Sequence, residues 1–255
     1  MTPDGRGIRG YAGRLAGPVV PVIPVAPVPT VTSPYSGVST PVGGPAYGPA
    51  PVAAATQSGD VFRVLHVCTG NVCRSPMAER LMRHGLARRL GDGANGILVE
   101  SAGTWGHVGA PMEAHAAAVL TEYGADPAGF TGRELLDDQV IDADLVLTAT
   151  RDHRSQVISM GHAAGLRTFT LKEFTRLVRA IDQATLPDTG VTERARALVT
   201  AAAALRGWLL APSPDADEVY DPYGAPVSYF RSIGEEIHAA LDPMVTALTG
   251  IPAAV

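Results

Sequence analysis

Cys68, Arg74 and Ser75 stand in the run Val67-Cys68-Thr69-Gly70-Asn71-Val72-Cys73-Arg74-Ser75-Pro76, where an apolar stretch gives way to a helical pattern. A phosphate dianion needs many donors at once, and a short loop whose successive backbone N–H groups turn inward supplies them. Gly70 tolerates the unusual φ such a turn requires, and Asn71 tolerates it better than most residues. Arg74 closes the ring with a planar fork that can bond two phosphate oxygens. Ser75 suits a helix N-cap and Pro76 the first helical position, so a helix dipole would point its positive end at the loop. In that field a thiol at Cys68 would give up its proton readily and act as a nucleophile.

Such a loop works only if a strand and a helix hold its two ends. Residues 61–68 form a Val-rich apolar run that predicts a buried strand. Residues 76–90 carry Met77, Leu81, Leu86 and Leu90 at helical spacing. Further strands are predicted at 96–101, 143–149 and 168–171. Helices are predicted at 113–123, stopped by Gly124, and at 152–162, closed near Gly165. Two more are predicted at 172–184 and 192–210, then a proline-rich acidic loop at 212–218 and a last helix at 227–248. Strands separated by helices imply crossover connections and a parallel α/β sheet. Ligands in such sheets bind at the carboxyl ends of the strands, which is where the Cys68 loop lies.

The loop resembles the signature of the low-molecular-weight protein tyrosine phosphatase family. The resemblance extends to Ser101-Ala102-Gly103-Thr104, Ala143-Asp144-Leu145-Val146-Leu147 and Asp221-Pro222-Tyr223. It covers roughly residues 60–255 and is weak at 173–214, where this chain looks longer than the compact family domain. It implies a four-stranded parallel sheet flanked by helices. It also implies a phosphomonoester hydrolase that acts on phosphotyrosine proteins through a phosphocysteine, without cofactor or metal. Asp221 would be the general acid and later the base. Thr69, Gly70, Asn71, Val72, Cys73 and Ser75 would cradle the substrate's phosphate. Ser75 would donate to the Cys68 thiolate and Asn71 would hold the loop's shape. Cys73 would trap an oxidised Cys68 as a reversible disulfide. Trp105 and Tyr223 would clamp an aromatic leaving group, whereas His66, His107 and His162 read as structural or solvated.

Three alternatives stand beside this reading. A protein-arginine phosphatase shares the Cys-Thr-Gly-Asn wording, but some such proteins carry Thr where this chain has Val72. An arsenate reductase-like shuttle needs cysteines downstream, and none follows Cys73. A non-catalytic phosphate-binding module would lack Cys68, Arg74 or Asp221, and all three are present.

The chain of 255 residues carries a net charge of −5, which argues against a general nucleic-acid partner. Lys172 is its only lysine. Both cysteines lie in the loop, so a disulfide scaffold is excluded and a reducing, cytoplasmic compartment is expected. No Cys/His spacing suggests a metal site. Residues 15–59 hold no charged side chain, and Pro18, Pro21, Pro24 and Pro27 recur every third residue among valines. That composition predicts a disordered tail over 1–58, ahead of a phosphatase domain over 59–255 with a helical insertion near 173–214. It also suits a proline-recognising partner. Its prolines argue against a membrane span, and no clean apolar stretch marks a signal peptide.

Overall fold

The computed structural model describes residues 61–252. The expected tail at 1–58 lies outside the described residues. Four parallel strands, β1 (Phe62–Cys68), β2 (Ile97–Gly103), β3 (Leu145–Thr148) and β4 (Thr168–Thr170), form one sheet in the order β2-β1-β3-β4. The helices are α1 (Arg74–Leu90), α2 (Ala114–Glu122), α3 (Asp137–Asp142), α4 (Arg151–Met160), α5 (Leu171–Arg179), α6 (Val191–Leu205) and α7 (Val227–Thr249).

Side-chain alternation along β1 explains why both faces of the sheet are covered. Phe62, Val64 and Cys68 enter one core with residues of α1, α2, α5, α6 and α7. Leu65 and Val67 enter a smaller core with Val140 of α3 and Val157 of α4. β3 divides the same way, Leu145 and Leu147 to the first core and Val146 to the second. Because β1 is flanked by β2 on one side and β3 on the other, the strand order reverses beside it. That reversal opens a crevice at the carboxyl ends of β1 and β3. No helix among the described residues is long and apolar enough to cross a membrane.

Several boundaries differ from expectation. α1 begins at Arg74 with Cys73 as its cap residue, so Ser75 is not the N-cap. The tight loop starts the helix early, and the Ser75 hydroxyl is used inside the loop instead. The short helix α3 was not expected, because its six residues span too few turns to show a period. The expected helix at 172–184 ends at Arg179 and is followed by a separate turn at Gln183–Thr185. The one expected at 192–210 ends at Leu205.

Two buried histidines make stability depend on pH. His66 on β1 packs against the Met82 sulfur at 3.4 Å, and burial pushes its pKa down to about 3. His153 on α4 is pushed down to about 4, by burial first and then by Arg74. Below about pH 6.5 the unfolded chain takes up protons that the folded chain refuses until those lower values. Stability is therefore present above that pH and lost as the pH falls. Each histidine contributes a slope of about 1.4 kcal/mol per pH unit in the window between its two pKa values. Thermal melts from about pH 7 to about pH 4.5 should show the decline, and His66→Leu should make it shallower. An unchanged slope in that variant would contradict the assignment.

Candidate active site

The loop after β1 is shaped by what its carbonyls meet. Cys68 O accepts from Thr104 N at 2.9 Å, Thr69 O from Trp105 N at 3.0 Å, Gly70 O from His107 N at 2.9 Å, and Val72 O from Glu113 N at 2.9 Å. Each carbonyl is drawn outward to the 104–113 segment. In a planar trans peptide the N–H points the opposite way, so the loop's N–H groups turn toward the cleft. Gly103 permits the approach, since a Cβ there would stand 2.3 Å from Thr69 O.

Asn71 holds the turn. Its φ of 52° lies in the left-handed region, where a side chain with local hydrogen bonds is favoured. The buried Asn71 Nδ2 donates to Ser75 Oγ at 3.0 Å and to Ser101 Oγ at 2.9 Å, and Oδ1 accepts from Arg133 N at 2.8 Å. Ser101 passes its own hydrogen to buried Glu79 at 2.6 Å, and Glu79 pairs with Arg83 at 3.0 Å. Asn71→Ala would strand these groups and leave a strained φ. It should cost about 2–4 kcal/mol of stability, read as a lowered melting temperature, together with most of the turnover.

Cys68 Sγ lies 2.9 Å from Ser75 Oγ at the base of the loop. Cys73 is also buried and free. Burial, Asp221 and Cys68 push the Cys73 thiol up to about 12, which keeps it protonated and disqualifies it as the nucleophile.

Arg74 is buried at the start of α1. Nη1 donates to Val219 O at 3.1 Å, and Nη2 to Thr69 Oγ1 at 3.2 Å and to Asp221 Oδ2 at 2.6 Å. Its Nε is buried and has no partner among the described residues. A guanidinium nitrogen left over in an anion-binding loop is a donor in want of an oxygen. Asp221 belongs to a turn in which its Oδ1 accepts from Tyr223 N at 3.2 Å.

The resulting cleft, of about 180 Å³, has Cys68, Thr69, Gly70, Val72, Cys73 and Arg74 as its floor and His107, Asp221 and Tyr223 as its walls. Trp105, expected at the mouth, is 77% exposed and does not line it. His107, expected to be structural or solvated, takes that place, edge-on to Tyr223 with ring centroids 6.4 Å apart. The 104–113 segment is anchored by its backbone, so the identity of the residue turned inward is set by the turn rather than by side-chain type. His153 was not singled out by the sequence. Its Nε2 lies 2.9 Å from Thr69 Oγ1 and its Nδ1 2.6 Å from Thr150 Oγ1, so it steadies the hydroxyl on which Arg74 rests. No cluster among the described residues could hold a metal ion.

The sequence model of the low molecular weight phosphotyrosine protein phosphatase family matches residues 63–188. The low molecular weight protein-tyrosine-phosphatase Etp of Escherichia coli K12 is 34% identical over 125 residues, covering 49% of this chain and 75% of the relative. This chain belongs to that family. A protein-arginine-phosphatase from Geobacillus stearothermophilus is 27% identical to this phosphatase over 187 residues, covering 73% of it and 96% of the relative. A solved structure of the arginine phosphatase from the same organism superposes with a TM-score of 0.53 at 28% identity, covering 74% and 94% of the two chains. Asp221 lies beyond the residues matched by the family's sequence model, and the 2.6 Å contact with Arg74 ties it to the site.

Proposed function

We propose that this phosphatase hydrolyses phosphotyrosine in proteins through a phosphocysteine on Cys68. One observation carries the reading: Cys68, Arg74 and Asp221 meet in a cleft walled by the rings of His107 and Tyr223. The incoming dianion takes Arg74 from Asp221, using the unpartnered Nε and the Nη2 that Asp221 gives up. The Cys68 thiolate attacks phosphorus, the P–O bond breaks, and Asp221 hands its proton to the departing phenolate. Water then attacks phosphorus as Asp221 takes one of its protons. The S–P bond breaks, inorganic phosphate leaves and the thiolate returns. Cys73 closes a disulfide on a Cys68 sulfenic acid, its thiol proton passing to the departing hydroxyl so that water leaves. Chemistry that depends on a free Cys68 thiol fits a reducing, cytoplasmic setting.

A second reading, phosphoarginine hydrolysis, is favoured by the arginine phosphatase that this chain resembles over most of that protein's length. The two differ in what the floor offers the leaving group. Val72 presents methyl groups at the cleft, which suit a flat ring and give a guanidinium no acceptor. Purified protein presented with phosphotyrosine, phosphoserine and phosphoarginine peptides should turn over phosphotyrosine fastest, without added metal. Val72→Thr should raise kcat/KM for phosphoarginine relative to phosphotyrosine several-fold. A parent enzyme faster on phosphoarginine would overturn the assignment while leaving the cysteine chemistry in place.

A further inference from the structure

We propose that Lys172 and Arg176 are positioning residues for the general acid, so that α5 works as the arm holding the Asp221 loop in register with Cys68. The proposal rests on the reading of Asp221 as the acid.

α5 buries Leu171, Phe174, Leu177 and Val178 in the main core. Lys172 and Arg176 are four residues apart and so share a different stripe of the helix. Both reach the strand of chain that leads to Asp221. Lys172 Nζ donates to Glu218 O at 3.0 Å and pairs with Glu236 of α7. Arg176 grips both oxygens of the Asp217 carboxylate, Nη2 to Oδ2 being 3.2 Å, and its Nε donates to Leu209 O at 3.4 Å. Asp217 is buried, so its charge is held in place by that fork rather than by water.

The next residue is fixed from the sheet side. Val219 N donates to Ala149 O at 2.8 Å, just beyond β3, and Val219 O accepts from Arg74 Nη1 at 3.1 Å. Asp217, Glu218 and Val219 are thus tied in succession to α5, α5 again and the catalytic loop. Asp221 follows two residues later and is itself half-exposed. Among the described residues only Arg74 Nη2 and Tyr223 N orient its carboxyl, and a bound substrate takes the first of these. What then aims the carboxyl at the leaving oxygen is the anchored backbone before it. A proton donor displaced by about 1 Å loses much of its effect.

A positioning role predicts a loss that depends on the leaving group. The test compares Lys172→Gln, Arg176→Gln and Lys172→Arg with Asp221→Asn on aryl and alkyl phosphates spanning a wide range of leaving-group pKa. Melting temperature and vanadate affinity are measured alongside. For poor leaving groups the two glutamine variants should lose about tenfold in kcat/KM, which reports the step that expels the leaving group. For a nitrophenyl ester they should stay within about twofold, with vanadate affinity kept. Lys172→Arg, which keeps the cation, should retain the activity that Lys172→Gln loses. No loss, or an equal loss across all leaving groups, would overturn the role of α5 if Asp221→Asn still shows the steep dependence. If Asp221→Asn lacks that dependence as well, the acid assignment falls and this proposal falls with it. Should Arg176→Gln fail to fold, the partly exposed Lys172 leaves its two variants to decide the matter.

Discussion

Cys68→Ser should reduce turnover by roughly 10⁴-fold or more, while inorganic phosphate or vanadate still binds nearly as tightly as to the parent. The two halves of this result have separate causes. Turnover is lost because a serine hydroxyl at that place lacks a base to remove its proton, and an alcohol is a far weaker nucleophile than a thiolate. Binding survives because the donors belong to other groups: the inward-turned N–H groups of the loop and the Arg74 fork, neither of which touches Cys68 Sγ. Titration calorimetry with vanadate, beside a steady-state assay, reads both. Cys73→Ser serves as the contrast, because its thiol is held protonated by burial and by Asp221. It should keep most activity and recover less well after peroxide. A dead Cys73→Ser beside an active Cys68→Ser would reverse the two roles.

Asp221→Asn should slow hydrolysis of phosphotyrosine by about 10²–10⁴-fold. The loss should shrink as the leaving group improves, since a nitrophenolate departs without needing the proton. The substitution also removes the negative partner of Arg74 at 2.6 Å. A dianion then no longer has to compete for that guanidinium, and phosphate affinity should rise rather than fall. Weaker phosphate binding would mean that the carboxylate builds the pocket instead of guarding it. A loss independent of the leaving group would take Asp221 out of the acid's place.

The two halves of the site were unequally legible in the sequence. The Cys68 loop was visible because its chemistry is local: the thiol, the turn residues and the guanidinium lie within seven consecutive positions, and a strand must run into a helix around them. Asp221 lies 147 positions from Arg74, and spacing carries no information over that distance. Only the Asp-Pro-Tyr resemblance pointed to it. The exchange of Trp105 for His107 was illegible for another reason. Both are ring side chains on one loop, and which of them faces inward depends on four backbone hydrogen bonds that no side-chain pattern records. The same limit misplaced Ser75, whose type suits a cap but whose hydroxyl is taken by the thiol and by Asn71. The four strands were read from apolar runs to within a few residues. α3 escaped because six residues, fewer than two turns, show no period. His153 escaped because nothing in its neighbourhood in sequence announces Thr69.

Arg74 joins the first strand's loop to Val219 and Asp221, and that closure has a consequence for how the enzyme comes into being. A ribosome delivers the nucleophile and its anion cradle long before the acid. Until the last stretch of chain emerges, the loop lacks its proton donor, and α1 behind it lacks the α7 residues Phe230, Ile233 and Ile237 that complete its core. Competence arrives in one step, when the late segment zips onto Ala149 and Arg74 and a loop of more than a hundred residues is closed. The same junction is where the mature protein can be silenced most cheaply. Peeling residues 217–221 away breaks a handful of hydrogen bonds and ion pairs, draws Val219 out of the main core, and leaves the anion cradle without its proton donor.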